Sequence, residues 1–187
     1  MKKAFYLLSF SLCLVLISGC GNNERGSTKE GPANSTFIME AETTEGDFVY
    51  RLVSEKELYK EAEPVKLYAE LEYIGDQDSI SIFHAGSPFY FDMTEKTRDY
   101  EIPYPMIQPL IQTTLKKGEP LREPYTKSGG YSDQDDGEYV KFMKKFLKGD
   151  DFPTGQYEVK GNASFHTEEY GTEQQFNIEA KIEFEVK

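Results

Sequence analysis

Apolar residues fall at every second position along most of the chain beyond residue 36. In the segment from Val65 to Tyr73, Val65, Leu67, Ala69, Leu71 and Tyr73 share one parity, and Lys66, Tyr68, Glu70 and Glu72 share the other. The last segment repeats the rule: Phe176, Ile178, Ala180, Ile182, Phe184 and Val186 alternate with Asn177, Glu179, Lys181, Glu183, Glu185 and Lys187. Between them, Tyr157, Val159, Gly161, Ala163 and Phe165 alternate with polar neighbours. Side chains point to opposite faces of a strand in turn, so this pattern predicts sheets with one dry face and one wet face. Phe48–Val53, Ser79–His84, Pro88–Met93 and, more weakly, Ile111–Leu115 add shorter strands. Gly75-Asp76-Gln77-Asp78, Lys117-Gly118-Glu119-Pro120 and Pro153-Thr154-Gly155 supply the reversals. The expectation is an all-β, antiparallel β-sandwich of about seven to nine strands occupying residues 36–187.

One segment breaks the period of two. Tyr139, Phe142, Met143 and Phe146 stand at i, i+3, i+4 and i+7, with Lys141, Lys144, Lys145 and Lys148 largely opposite. This spacing predicts one short inserted amphipathic helix over about 137–148, its aromatic stripe covering a mouth of the sandwich. Asp135 or Asp136 can cap its start and Gly149 its end, and lysines in the last turn suit the helix dipole.

The first twenty residues follow a different rule. Met1-Lys2-Lys3 is basic, Ala4 to Ile17 is uncharged and largely apolar, and Ile17-Ser18-Gly19-Cys20 closes the run. A basic start, a short apolar core and small residues before a cut describe a secretory signal. The apolar run is too short to span a bilayer comfortably. The Ile-Ser-Gly-Cys ending resembles the lipobox of bacterial lipoproteins. The resemblance implies a signal peptide at 1–19, cut so that Cys20 becomes the first residue with its thiol lipidated. Residues 20–35 then form the lipidated cysteine and its tether. Gly21–Ser35 contains one alanine and no large apolar residue, a composition that reaches roughly 20 Å as a flexible coil. Two acyl chains meet the two-signal requirement for stable anchoring, so the expected location is the extracytoplasmic face of the cell membrane.

Composition narrows the function classes. The chain has 187 residues with 33 acids and 21 bases, a formal net charge of −12. That balance excludes a nucleic-acid surface, which needs clustered Lys and Arg, and argues against adhesion to anionic lipid by charge. Losing Lys2 and Lys3 with the leader makes the exported chain more acidic still. Of two cysteines, Cys13 lies in the leader and Cys20 takes the lipid, so the exported fold must stand without a disulfide.

Three spacings carry a further resemblance. Leu58-Tyr59-Lys60-Glu61-Ala62-Glu63-Pro64-Val65-Lys66-Leu67 resembles the Y-K-x-G-E-P-V-x-L lead-in to a strand of bacterial immunoglobulin-like domains. Leu115-Lys116-Lys117-Gly118-Glu119 resembles their L-x-P-G-E turn, and Pro153-Thr154-Gly155-Gln156-Tyr157-Glu158-Val159 their P-x-G-x-Y-x-V lead-in to a late strand. Together they look most like the proteinase-inhibitor-type domains of spore-forming Gram-positive bacteria and their lipoprotein relatives. Ala62 stands where that pattern has Gly, and Lys117 where it has Pro. The resemblance implies an immunoglobulin-like sandwich and offers proteinase inhibition as one function.

Catalytic signatures are sparse. HExxH, GxxxxGK[ST], CxxC and the Gly-x-Ser-x-Gly elbow do not occur, and no cofactor or metal is expected. His84 shares the parity of Ile80 and Ile82 and reads as a core histidine, whereas His166 falls on the polar parity. Asp133, Asp135, Asp136 and Glu138 miss the EF-hand spacing and read as a helix-capping turn. The most suggestive stretch is Tyr100 to Leu110, where three prolines stiffen a run with apolar contact area. Tyr100, Pro103, Tyr104, Pro105 and Met106 are its candidate binding residues, and the same stretch reads equally as a connection packed along the sandwich. The leading expectation is therefore a non-catalytic binding module of the cell envelope, engaging a protein or another envelope component. A proteinase inhibitor and an envelope enzyme acting on glycan or peptide are the alternatives. The enzyme would require a pocket uniting His84 or clustered acids with the Pro-rich stretch.

Overall fold

A computed structural model describes residues 38–169 and 171–187. The leader, the tether and Cys20 lie outside the described residues. The strands in chain order are β1 (Met39–Glu45), β2 (Phe48–Ser54), β3 (Leu58–Tyr59), β4 (Leu67–Tyr73), β5 (Ser79–His84), β6 (Phe89–Glu95), β7 (Tyr100–Ile102), β8 (Ile111–Lys116), β9 (Leu121–Pro124), β10 (Gly155–Glu169) and β11 (Thr172–Val186). One helix, α1 (Gly137–Phe146), lies between β9 and β10. The fold is an all-β sandwich of two sheets with one short helix. Its smaller sheet has the order β1-β2-β4-β9; the larger follows β3-β11-β10-β5-β8, with β6 pairing β10 and β7.

Beyond the sequence expectation are the polar β1 and the short strands β3, β7 and β9, with two, three and four residues. β3 also departs from the antiparallel rule, pairing parallel to β11 through Leu58 and Tyr59. The helix ends two residues earlier than its periodicity suggests, because Leu147 already serves as the C-cap.

The larger sheet is organised by a long hairpin. β10 and β11 pair without interruption from Gly155↔Val186 to Glu169↔Thr172. Their inward parity stacks Tyr157 on Phe184, with ring centroids 5.2 Å apart, and Phe165 on Phe176 at 5.0 Å. Phe48 of the smaller sheet meets both Phe165 and Phe176 edge-on at 4.9 Å, a geometry that aromatic quadrupoles favour. The other edge of β10 is shared: β6 covers Tyr157 to Ala163, and β5 covers His166 and Thr167. The break between them falls at Ala85-Gly86-Ser87-Pro88. The next strand along mirrors that break. β7 pairs with β6, β8 pairs with β5, and Pro103–Leu110 crosses the gap between them. Prolines lack the N–H a ladder needs, so the Pro-rich stretch lies where the sheet already lacks a regular neighbour.

The outer face of the smaller sheet carries a row of alternating charge. Glu42, Arg51, Glu70 and Arg122 occupy one register line across all four strands. Arg51 Nε donates to Glu42 at 2.6 Å, its Nη1 donates to Glu72 at 2.8 Å, and Arg122 Nε donates to Glu70 at 2.6 Å. Glu70, on the polar parity, is nevertheless buried beneath the two flanking arginines.

The turns follow local chemistry. Tyr59 Oη donates to Lys66 O and accepts from Lys56 N, so it ties the chain on both sides of the 60–65 turn. Ala62 sits in that turn at φ 62°, the left-handed region that favours glycine. Tyr157 Oη donates to Pro153 O at 2.6 Å and fixes the lead-in to β10. Tyr50 carries an unmet cost. Its hydroxyl is buried with no hydrogen-bond partner among the described residues, and burial raises its pKa. A Cβ on Gly161 would lie 2.5 Å from that oxygen.

Three stability outcomes follow from these residues. Ala62→Gly relieves the left-handed strain and should raise unfolding stability by about 0.5–1 kcal/mol, read by urea denaturation; unchanged or lower stability would contradict the strain. Tyr50→Phe removes an unsatisfied buried hydroxyl and should be neutral or stabilising by about 1 kcal/mol. Gly161→Ala should destabilise, and part of that loss should be recovered in the double variant with Tyr50→Phe.

Candidate functional site

The Pro-rich stretch keeps the period of two well past β7. Tyr100, Ile102, Tyr104 and Met106 turn toward the protein, while Glu101, Pro103 and Pro105 turn out. The Tyr100 ring packs against Tyr139 at 5.3 Å and Phe142 at 5.2 Å. Tyr104 packs against Phe91 at 5.4 Å and Tyr125 at 5.7 Å, and its N–H donates to the Asp92 carboxylate at 2.8 Å. Of the five candidate binding residues, Tyr100, Tyr104 and Met106 thus anchor the stretch, and Pro103 and Pro105 face solvent. The fully displayed part comes later. Ile107 and Leu110 are each 75% exposed, and Gln108, Pro109 and Ile111 are exposed with them. This tip is tied down: Gly86 N donates to Ile107 O at 3.0 Å, and Gln108 Nε2 donates to Met106 O at 3.2 Å. The alternation Tyr100, Ile102, Tyr104, Met106 is visible in the sequence, and it marks where packing gives way to display.

Both histidines border a pocket of about 260 Å³ that Gln108, Pro109 and Leu110 also line. The two nitrogens of His84 are committed. Nδ1 lies 3.0 Å from Ala85 O, which only accepts, so Nδ1 carries the proton; in the neutral ring Nε2, at 2.8 Å, accepts from the Thr113 hydroxyl. His166 is half-buried despite its polar parity, because its ring stacks on Phe83 at 5.1 Å. The pocket therefore joins His84 to the Pro-rich stretch, yet the nitrogens that would move a proton are already occupied by the strands.

The acids before the helix do local work. Asp136 Oδ1 accepts from Glu138 N at 2.9 Å and from Tyr139 N at 3.3 Å, which makes Asp136 the N-cap. Asp135 accepts from Ser132 N, and Glu138 pairs with Lys141 at 2.7 Å. Among the described residues no group of three or more His, Cys, Asp or Glu side chains could hold a metal ion.

A larger cavity, about 630 Å³, opens beside β4. The β9 register ends at Pro124↔Tyr68, Tyr125 N still donates to Leu67 O at 2.9 Å, and the chain then turns away toward the helix. The gap it leaves is walled by Pro64–Tyr68 on one side and Pro124–Lys127 on the other. Phe152 and Asp150 form part of its lining, and Glu55 and Arg122 lie at its rim. Phe152 is buried against Tyr125, Phe146, Tyr157 and Phe184. Tyr68 lies under the Arg122 guanidinium at 4.1 Å, held there by the Glu70 pair. Lys127 is the unusual member. Its ammonium donates to the carbonyls of Phe146 and Asp151 and sits over the rings of Phe146 and Phe152 at 4.7 and 4.8 Å. Loss of solvent lowers its pKa, although Asp151 and Asp150 partly oppose that shift. Nothing in the sequence pattern joins Val65, Tyr125, Lys127 and Asp150; only the path of the chain around the helix does.

If the acidic turn is a cap, Asp136→Ala should cost about 1 kcal/mol of stability, and millimolar calcium should leave the melting temperature of the parent chain unchanged. A calcium-dependent rise in melting temperature that Asp136→Ala removes would instead mark a cation site. No family model matches the chain, and no curated protein matches it.

Proposed function

We propose that this chain is a lipid-anchored binding module on the extracytoplasmic face of the cell membrane. The observation that carries the reading is the Ile17-Ser18-Gly19-Cys20 ending of a basic-then-apolar leader, followed directly by a polar tether. The cysteine would take the diacyl lipid, and the tether would set the reach of the folded domain. The acidity of the chain leaves the lipid as its membrane contact, because an acidic surface is repelled by anionic headgroups.

The non-catalytic part of the reading draws on how the reactive side chains are used. His84 serves two strands, Asp136 serves a helix, and Glu95 is buried under the 96–99 turn, accepting from the N–H groups of Thr97 and Arg98 at 3.0 and 3.1 Å. Binding needs no such freedom. It needs a concave, amphipathic surface on a rigid frame, and the cavity beside β4 supplies one.

Metabolic labelling with an alkyne fatty acid tests the anchor. Wild-type protein should take the label and fractionate with membranes, and Cys20→Ala should lose the label and appear in the medium. Label retained by Cys20→Ala would overturn the assignment.

A further inference from the structure

We infer that the cavity beside β4 binds a short peptide with free termini and apolar side chains. The inference rests on the reading of the chain as a binding module and names the ligand class of its cavity. An ammonium has three donors, and Lys127 gives two of them to the carbonyls of Phe146 and Asp151. No third acceptor, and no carboxylate within 4.0 Å, meets it among the described residues. Asp150 lines the same cavity with the opposite charge. Its backbone carbonyl accepts from Val65 N at 3.1 Å, but its carboxylate has no hydrogen bond or ion pair among the described residues. The other charges at the rim are taken: Arg122 is held by Glu70, and Lys66 lies 3.4 Å from Glu55.

A cation with one donor to spare and a carboxylate that acts on it without coming within ion-pair distance therefore share a cavity whose wall includes Val65, Leu67, Tyr125 and Phe152. Each simpler ligand fails one part of this lining. An inorganic anion would satisfy Lys127 but meet the Asp150 carboxylate and leave Val65 and Tyr125, the part-exposed members of the wall, uncovered. A neutral apolar molecule would cover the wall and strip water from two charges without replacing it, which is costly. A zwitterion with an apolar body satisfies all three: its carboxylate accepts from Lys127, its ammonium donates to Asp150, and its side chains cover the wall. The cavity, about 630 Å³, lies within the range of about 300–1,000 Å³ that small ligands fill. The partially desolvated environment of Lys127 strengthens a charge-assisted bond there relative to one in open water.

Calorimetric titration of the detergent-solubilised full-length chain tests this with four probes: Leu-Leu, N-acetyl-Leu-Leu, Leu-Leu amide and inorganic phosphate. Leu-Leu should bind, and blocking either terminus should weaken binding by about tenfold or more, the size of one charge-assisted hydrogen bond. Asp150→Asn changes an exposed side chain without touching the backbone bond to Val65, so it should fold normally. It should bind Leu-Leu no better than the wild type binds the acetylated peptide. No heat with millimolar Leu-Leu, equal affinity for the blocked and free peptides, or phosphate binding as tightly as Leu-Leu would each overturn the inference. Fatty-acid labelling at Cys20 is independent of all three results, so failure of the peptide site leaves the anchor to stand or fall separately.

Discussion

The burial of Phe152 ties the helix to the larger sheet and to the chain leaving the smaller one. Its ring lies 4.8 Å from Phe146 of the helix, 5.2 Å from Tyr157 and 5.7 Å from Phe184 of the long hairpin, and 6.2 Å from Tyr125 beyond the smaller sheet. One side chain thus joins the helix, the larger sheet and the segment that leaves the smaller sheet. With no cysteine beyond Cys20, no covalent staple can take over this role, and apolar packing has to fix the angle at which the sheets meet the helix. The same ring lines the cavity. The wall of the cavity is therefore part of the core, and its shape is set when the domain folds.

Lys127 shows what such a position demands. A cation placed against two aromatic rings loses water, and the lowering of its pKa records that loss. Two backbone carbonyls and the ring faces replace part of the hydration. One of those carbonyls belongs to Phe146, at the helix C-terminus, where a positive charge also answers the helix dipole. The lysine is thereby held at one address with no carboxylate at ion-pair distance, although Asp151 and Asp150 act on it from farther away. That distinguishes it from the arginines of the smaller sheet, whose charge is spent within the row Glu42, Arg51, Glu70 and Arg122.

The sandwich was legible because burial imposes a period of two, and Leu67–Tyr73 and Phe176–Val186 obey it without exception on their apolar parity. The helix was legible for the complementary reason, since Tyr139, Phe142, Met143 and Phe146 fit a period near four. β1 was hidden because Met39, Ala41 and Thr43 bury too little apolar surface to stand out among their polar neighbours. β3, β7 and β9 are too short for any period to appear, and their pairing is decided by partners distant in sequence. The Pro-rich stretch was legible as a stiff segment but not in its orientation. Composition left open whether Tyr100–Met106 is a binding edge or a packed connection, and the alternation through those residues turns Tyr100, Tyr104 and Met106 inward. The cavity left no linear trace, because four separate segments meet there only after the chain has rounded the helix.

The uneven use of charge follows from the same geometry. An acidic chain keeps its surface soluble by spreading carboxylates over the wet faces of strands, where Lys160 and Lys181 meet Glu158 and Arg51 meets Glu42 and Glu72. Exposed pairs of this kind contribute little stability, and they offset only part of the negative charge on those faces. Around the cavity the pattern changes: a lysine and an aspartate share one wall without pairing, over apolar ground that the strands elsewhere turn inward. Solubility does not require that arrangement, and within it Lys127 also ties the helix end to Asp151 over two core rings. The inferred peptide site would set opposite charges joined by an apolar body against this wall.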